Sequence, residues 1–179
     1  MKYFQEIYLN HNIRSISVNL DPVAVGKIQD KGLGAIHAKA EELEKHDIHP
    51  DIIVFFQTLE HLNSPITFLK SIADTSSCKY FVITVPYLAV SRVGLFHIRN
   101  HIEENVYAER IHILELCPED WELICMHAGW RVVEDKTYLQ YPRMNPLRLT
   151  KSGWANYDHE GSYGMILEKD STWSKRYLD

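Results

Sequence analysis

The chain has 179 residues and a mass of 20.9 kDa, the size of one ordinary domain that can bury a core without disulfides or a structural metal. Hydrophobic residues make up 45% and charged residues 24%, which excludes a disordered or collagen-like chain. The net charge of −5 gives no global electrostatic basis for binding nucleic acid or an acidic membrane surface, so we expect neither as a partner.

The cysteines and the apolar runs indicate the compartment. The chain contains 3 cysteines and no C-x-x-C pair, which favours a reducing environment over a disulfide scaffold or a structural zinc site. The longest apolar run, Ile52–Phe56, is far too short to cross a bilayer, and the N-terminus lacks the layout of a signal peptide. We therefore predict a single domain over residues 1–179, located in the cytoplasm.

Strands alternate with helices along the chain. A strand is predicted over Arg14–Leu20, followed by a helix that begins at Asp21-Pro22 and ends near Gly32. Gly34–Ala38 is a short second strand. The next strand, Asp51–Phe56, is apolar throughout, as expected of a central parallel strand that is covered on both faces.

The second half continues the alternation, which predicts an α/β domain with a mostly parallel sheet. Its elements are a helix that starts at Asn63-Ser64-Pro65 and carries Ile66, Leu69 and Ile72, a strand over Lys79–Val85 that Pro86 ends, a helix over Glu119–Ala128, and strands over Trp130–Asp135 and Ser162–Glu168.

One connection, Tyr87–Ile111, is about two dozen residues long, where a handful is usual. Long loops over the functional edge of a sheet are typically lids or substrate-binding elements. The alternative is a surface excursion with a short helix around Asn100–Arg110. Three of its basic residues could meet an anionic acceptor, or could simply be exposed: His97, Arg99 and His101.

Four segments, in this order, resemble the class I S-adenosylmethionine-dependent methyltransferases, closest to their small-molecule branch. SISVNLDP resembles the second strand with its acidic end. DIIVFFQTLEHLNSPITFL resembles the family's Asp-led apolar strand, the Leu-Glu-His turn and the Pro-started helix after it. KYFVITVP resembles the fifth strand, and HILELCPEDWELICMHAGWRVV the late His, helix and strand signature. The resemblance implies a Rossmann-like, doubly wound, mostly parallel sheet with an antiparallel last strand, S-adenosylmethionine as cofactor and a small-molecule acceptor.

The sequence departs from the family pattern at its start. The family's first strand and glycine-rich loop should precede the first helix, but here the sequence reads Met1-Lys2-Tyr3-Phe4 at that point. The fold expected is therefore N-terminally truncated. That strand would lie between those formed by residues 15–20 and 51–56. Either these two strands pair directly, or a second chain supplies the missing part, for example in a homodimer, or the sequence is a fragment, which we favour. A natural relic without activity is a further alternative.

By the resemblance, Asp21 would bind the cofactor ribose, since one carboxylate can accept both hydroxyl protons. The alternative for Asp21 is capping of the helix at Pro22. At the place where the family has an acidic residue for the adenine amino group stands Lys39, which cannot accept a hydrogen bond. Either Glu41 substitutes for it, or the backbone of Ala40 reads the base, or these side chains are only a solvated charged run.

The turn after the Asp51–Phe56 strand carries the other candidates. Phe56 and Gln57 would meet the methionine part of the cofactor, although Phe56 could instead be core. Glu60 and His61 would face the same crevice, and a histidine there can take a proton from an acceptor hydroxyl. The alternative is that Glu60 and His61 form structural hydrogen bonds that hold the loop.

A second histidine, His112, could reach the pocket from the opposite side. Together with Gln57, Glu60 and His61 it faintly resembles the metal-binding set of small-RNA 2′-O-methyltransferases. In that set the position of Gln57 is a glutamate, and a neutral amide is a poor ligand for a hard divalent ion. We therefore predict no metal site.

Two functions follow. The first is a methyltransferase that acts on a small molecule, for example on a hydroxyl of a sugar or metabolite, with His61, His112 and Glu60 as candidate catalytic residues. The second is a catalytically inactive methyltransferase-like module that binds another subunit, which the missing loop and Lys39 favour. The sequence has no motif of a serine hydrolase or of a phosphate-binding loop.

Overall fold

The computed structural model describes residues 13–93, 112, 114–139, 161–173 and 175. The chain divides into two compact units, Met1–Ile48 and His49–Asp179. Most of the predicted lid, Tyr87–Ile111, lies outside the described residues. This part includes the helix expected around Asn100–Arg110 and the three basic candidates His97, Arg99 and His101.

The first unit is a small parallel βαβ arrangement. Strand β1 (Ile16–Asn19) leads into helix α1 (Pro22–Gln29) and strand β2 (Gly34–His37), and a 3₁₀ helix follows over Ala40–Lys45. Strands β1 and β2 pair in parallel, with Val18 opposite Ile36. Helix α1 buries Val25 and Ile28. The order and type of these elements agree with the sequence pattern.

Helix α1 begins and ends as its sequence predicts. The Asp21 carboxylate accepts a hydrogen bond of 2.9 Å from the Val23 backbone N–H, and Pro22 occupies the first helical position. After Gln29 the chain turns at Gly32, whose φ of 74° is the left-handed conformation that glycine adopts most easily. The Gly32 N–H donates to the Gln29 carbonyl at 2.8 Å and closes this turn.

The second unit is built on a four-stranded sheet in the order β3-β4-β8-β7. Its strands are β3 (Ile52–Phe56), β4 (Tyr80–Tyr87), β7 (Trp130–Leu139) and β8 (Gly161–Lys169). Strands β3 and β4 pair in parallel, whereas β8 is antiparallel to both of its neighbours. The mostly parallel direction and the antiparallel last strand are thus confirmed.

The core of this unit lies on one face of the sheet, under helices α2 (Pro65–Thr75) and α3 (Pro118–His127). Trp130 is buried there, and its indole N–H donates to the Leu69 carbonyl of α2 at 2.8 Å. The Phe81 ring packs edge-on against the Trp130 ring, with centroids 5.5 Å apart. Strands β4 and β8 supply the rest of this layer: Ile83, Val85, Tyr163, Met165 and Leu167.

Helix α2 is rotated relative to the predicted apolar stripe. Leu69 and Ile72 are buried as expected, but Ile66 is 45% exposed, so its predicted place in the core is wrong. Phe68 is buried instead, and its ring stacks on that of Phe55, with centroids 5.1 Å apart. The aromatic contact with the sheet sets the rotation of the helix.

Strand β3 corrects two expectations. It was expected to be central and covered on both faces, but among the described residues it pairs with β4 alone. Its outward-facing side chains remain exposed: Ile52 by 54%, Val54 by 46% and Phe56 by 51%.

Strand β4 does not end at Pro86, as predicted, but continues to Tyr87. Thr84 is the last residue of β4 that pairs with β3, and from Val85 onward β4 pairs with β8 only. A residue without an N–H is tolerated where one side of a strand has no partner. None of the helices in the described part of the chain is long and apolar enough to span a membrane.

Candidate active site

The candidate site begins where β3 ends. Gln57, the next residue, has a φ of 49°, the left-handed conformation that non-glycine residues rarely adopt. Its backbone N–H donates to the Thr84 carbonyl at 2.8 Å. Its side-chain amide lies 3.4 Å from the hydroxyls of both Thr84 and Ser162. These bonds hold the chain in a sharp turn at the carboxyl edge of the sheet.

A short 3₁₀ turn, Leu59–His61, follows and points a carboxylate inward. Leu59 is fully buried and Leu62 nearly so, which anchors the turn on both sides of Glu60. Glu60 itself is only 1% exposed. Within the described part of the chain, neither oxygen of its carboxyl group has a hydrogen-bond partner. An unpaired carboxyl in such a place lowers the stability of the folded chain, so a role other than packing is indicated.

The opposite wall comes from the segment around strand β6 (Leu114–Glu115), which pairs with strand β5 (Arg92–Val93). Ser91 fastens this segment, because its hydroxyl accepts a hydrogen bond from the Cys117 backbone N–H at 2.8 Å and donates one to the Asp120 carboxylate. His112 and Glu115 are both buried. The His112 Nδ1 lies 3.0 Å from Glu115 Oε1, a carboxylate–imidazole hydrogen bond.

The two walls meet in a cluster of Glu60, His61 and His112, which we call the Glu-His-His cluster. One potential ligand atom from each residue lies within 4.8 Å of the other two. The rings of His61 and His112 have centroids 4.7 Å apart, and His61 Nε2 lies 3.9 Å from Glu60 Oε1. The side chain of His61 is 33% exposed and that of His112 only 9%, so solvent reaches the cluster on the His61 side.

Burial dominates the electrostatics of this cluster. It raises the pKa of Glu60 to about 7, although the nearby His112 favours the ionised form. The neighbouring Glu115 carboxylate adds to the rise through like-charge repulsion. A carboxyl group that can exchange a proton near neutral pH is the kind of group that active sites contain.

The structure thus brings together three of the predicted site residues, although His112 is far from Glu60 and His61 in the sequence. Glu115 was missed by the sequence analysis. The sequence offers one signal for this pair, the spacing of three residues between His112 and Glu115. That spacing indicates a hydrogen bond only when the burial of both side chains is known. Phe56 is half-exposed, so its interpretation as core is wrong.

The remaining cofactor candidates belong to the first unit. Asp21 is exposed and caps α1, so the capping alternative is confirmed. Glu41 and Lys39 are exposed, and Ala40 begins the 3₁₀ helix. Their contacts with a cofactor, and the expected juxtaposition of Asp21 with residues 57–61, stay predictions.

No protein-family model and no curated protein matches the sequence, but solved structures match it. A SAM-dependent methyltransferase from Archaeoglobus fulgidus gives a TM-score of 0.56 at 18% identity, over 93% of this chain and 80% of that chain. The 1,6-didemethyltoxoflavin-N1-methyltransferase of Burkholderia thailandensis, solved with 1,6-didemethyltoxoflavin and S-adenosylhomocysteine bound, gives 0.59 at 17%, over 93% and 65% of the two chains. The chain has the class I methyltransferase fold.

The same fold carries more than one activity. The 4+2 cyclase SpnF gives a TM-score of 0.60 at 12% identity, over 88% of this chain and 66% of that chain. A class I methyltransferase fold therefore does not by itself establish methyl transfer, and the function must be argued from the site.

Proposed function

We propose that this chain is an S-adenosylmethionine-dependent methyltransferase that acts on a small-molecule acceptor, with a hydroxyl of a sugar or metabolite as the methylated group. The observation that carries the proposal is the Glu-His-His cluster, which the turn after β3 and the segment before β6 form together. Ligands of open α/β sheets bind at the carboxyl edge of the sheet, where this turn lies. The buried Glu60, whose carboxyl oxygens have no hydrogen-bond partner among the described residues, and the two adjacent imidazoles are groups that can move a proton there.

The described residues fit S-adenosylmethionine in two respects. The Asp21 carboxylate is exposed at the carboxyl end of β1, where it can accept hydrogen bonds from ribose hydroxyls while it caps α1. Phe56 presents an exposed apolar side chain beside the left-handed turn at Gln57, where the backbone can contact the methionine part. Glu41 and the backbone of Ala40 are the proposed contacts to adenine.

When bound, S-adenosylmethionine supplies an electrophilic methyl carbon, so the protein has mainly to align the acceptor and remove its proton. The Glu115 carboxylate accepts a hydrogen bond from Nδ1–H of His112, which leaves Nε2 as the basic nitrogen. His61, the most exposed member of the cluster, is placed to meet the acceptor first. Glu60, buried against both rings, can take up or release a proton near neutral pH.

Isothermal titration with S-adenosylhomocysteine tests the proposal. We expect saturable binding to the folded protein, weakened by Asp21→Asn and unchanged by the control Asp74→Asn, an exposed residue of α2. A folded protein that releases no heat at near-millimolar ligand would contradict the proposal for this chain.

One observation favours the alternative of a catalytically inactive interaction module: among the described residues, one edge of β3 has no partner strand, and one face of this strand exposes Ile52, Val54 and Phe56. Such an edge can accept a strand from another chain. Sedimentation discriminates the two functions, because a strict monomer that binds S-adenosylhomocysteine opposes the alternative.

A further inference from the structure

We propose that the Glu-His-His cluster is a binding site for one divalent transition-metal ion, with the Glu60 carboxylate and the imidazoles of His61 and His112 as ligands. The sequence led us to predict no metal, because Gln57 was taken as part of the set. The structure provides three ligands without Gln57, whose amide bonds instead to the hydroxyls of Thr84 and Ser162.

The spacing of the three groups suits an ion. Their ligand atoms lie within 4.8 Å of one another. An ion bound at about 2.1 Å holds neighbouring ligand atoms about 3 to 3.5 Å apart, so rotamer changes that shorten the separations by up to about 1 to 2 Å complete the site. His61 is the most exposed of the three side chains.

Glu60 is the independent observation that points to a ligand. It is 99% removed from solvent, since only 1% of its surface is exposed, and neither carboxyl oxygen has a hydrogen-bond partner in the described part of the chain. Buried carboxyl groups are paired with a cation, coordinate a metal or keep their proton, and Glu60 ionises near neutral pH. A divalent ion between Glu60 and the two imidazoles would satisfy the carboxylate.

The His112–Glu115 pair supplies the usual support of a metal ligand. A histidine that binds a metal through one nitrogen generally donates its other N–H to a carboxylate or carbonyl group, which fixes the tautomer and the ring orientation. Glu115 does this at 3.0 Å from Nδ1, which leaves Nε2 of His112 for the ion. Glu115 is therefore a positioning residue.

The donor set selects the class of ion. Two imidazole nitrogens and one carboxylate suit zinc, cobalt(II) or iron(II), whereas Mg²⁺ and Ca²⁺ prefer oxygen ligands alone. With three protein ligands, coordination positions stay open for a water molecule or an acceptor hydroxyl. An ion here would act on the acceptor oxygen by lowering its pKa, in place of direct proton transfer to a histidine.

Chelator-treated protein, titrated with CoCl₂ and followed by visible absorption and calorimetry, tests this site. We expect one Co²⁺ per chain, displaced by Zn²⁺ but not by Mg²⁺. Glu60→Gln and His61→Ala should abolish this binding, and Glu115→Gln should weaken it by about 10- to 100-fold. The matched controls Glu134→Gln and His49→Ala, both at exposed positions, should bind as the wild type does.

Circular dichroism of each variant establishes that it is folded. His61 is partly exposed, so His61→Ala keeps the test valid if Glu60→Gln does not fold. Absence of Co²⁺ binding to the wild type, or equal binding by the wild type and both ligand variants, would overturn the proposal. The Co²⁺ titration measures metal binding directly and does not depend on cofactor binding. A negative result there is therefore distinguishable from a negative S-adenosylhomocysteine titration.

Discussion

Replacing Glu60 by Gln should change how the stability of the metal-free protein depends on pH. Burial raises the pKa of Glu60 from 4.5 to about 7 in the folded chain. Between these values the folded chain keeps a proton that the unfolded chain has lost, so the free energy of unfolding falls as pH rises. The difference between the two pKa values corresponds to about 3 kcal/mol.

Most of this free energy, about 2 to 3 kcal/mol, should be lost between pH 5 and pH 8. The Gln side chain has nearly the same shape and does not ionise, so the variant should lack this component of the pH dependence. Urea denaturation at both pH values, in the presence of EDTA, measures it. Glu134→Gln, which alters an exposed carboxylate of β7, is the control and should follow the wild type.

Equal pH dependence of the wild type and Glu60→Gln would refute the reasoning, because it would mean that the Glu60 carboxyl is solvated. The reasoning would also be refuted if Glu60→Gln were less stable at both pH values while its free energy of unfolding differed between them as much as that of the wild type.

Further substitutions test the packing and the cofactor residue. Asp21→Asn should keep the helix cap but weaken S-adenosylhomocysteine binding, whereas Asp21→Ala should also lower the free energy of unfolding by about 1 kcal/mol. Calorimetry measures the binding and thermal unfolding measures the stability. Equal affinity of Asp21→Asn and the wild type would exclude the ribose contact. Leu69→Ala, at a position with no exposed surface, should lower the free energy of unfolding by about 2 to 5 kcal/mol in urea denaturation. Trp130→Phe should lower it by about 1 to 3 kcal/mol, because the Leu69 carbonyl loses its buried donor, and no change would contradict that hydrogen bond.

The sequence predicts elements well where the determining chemistry is local. Asp21-Pro22 starts a helix because the cap and the proline act on adjacent residues, and the alternating or apolar runs around β1 and β4 form strands. Element order followed from these signals, and the fold class followed from that order. Element boundaries differ from the prediction where strand pairing decides them. At Pro86, β4 continues because, among the described residues, one side of it has no partner.

Burial was less predictable, because it depends on contacts between distant segments. Ile66 matches the apolar period of α2, yet the Phe68–Phe55 stacking turns it outward. Glu115 looks like an ordinary acidic residue until β5 and β6 pair and bury it next to His112. Glu60, His61 and His112 were named together from the sequence, but the burial of Glu60 and the lack of a hydrogen-bond partner for its carboxyl group among the described residues were not predictable.

The measurement that tests the central claim most directly is a ¹H–¹⁵N NMR titration of the protein with S-adenosylhomocysteine. If the turn at residues 57–61 contacts the bound nucleoside, the amide signals of Gln57 and His61 should shift and saturate with the dissociation constant that calorimetry gives. Saturable shifts that leave Gln57 and His61 unchanged, or no shifts in a protein whose spectrum shows it to be folded, would contradict the account.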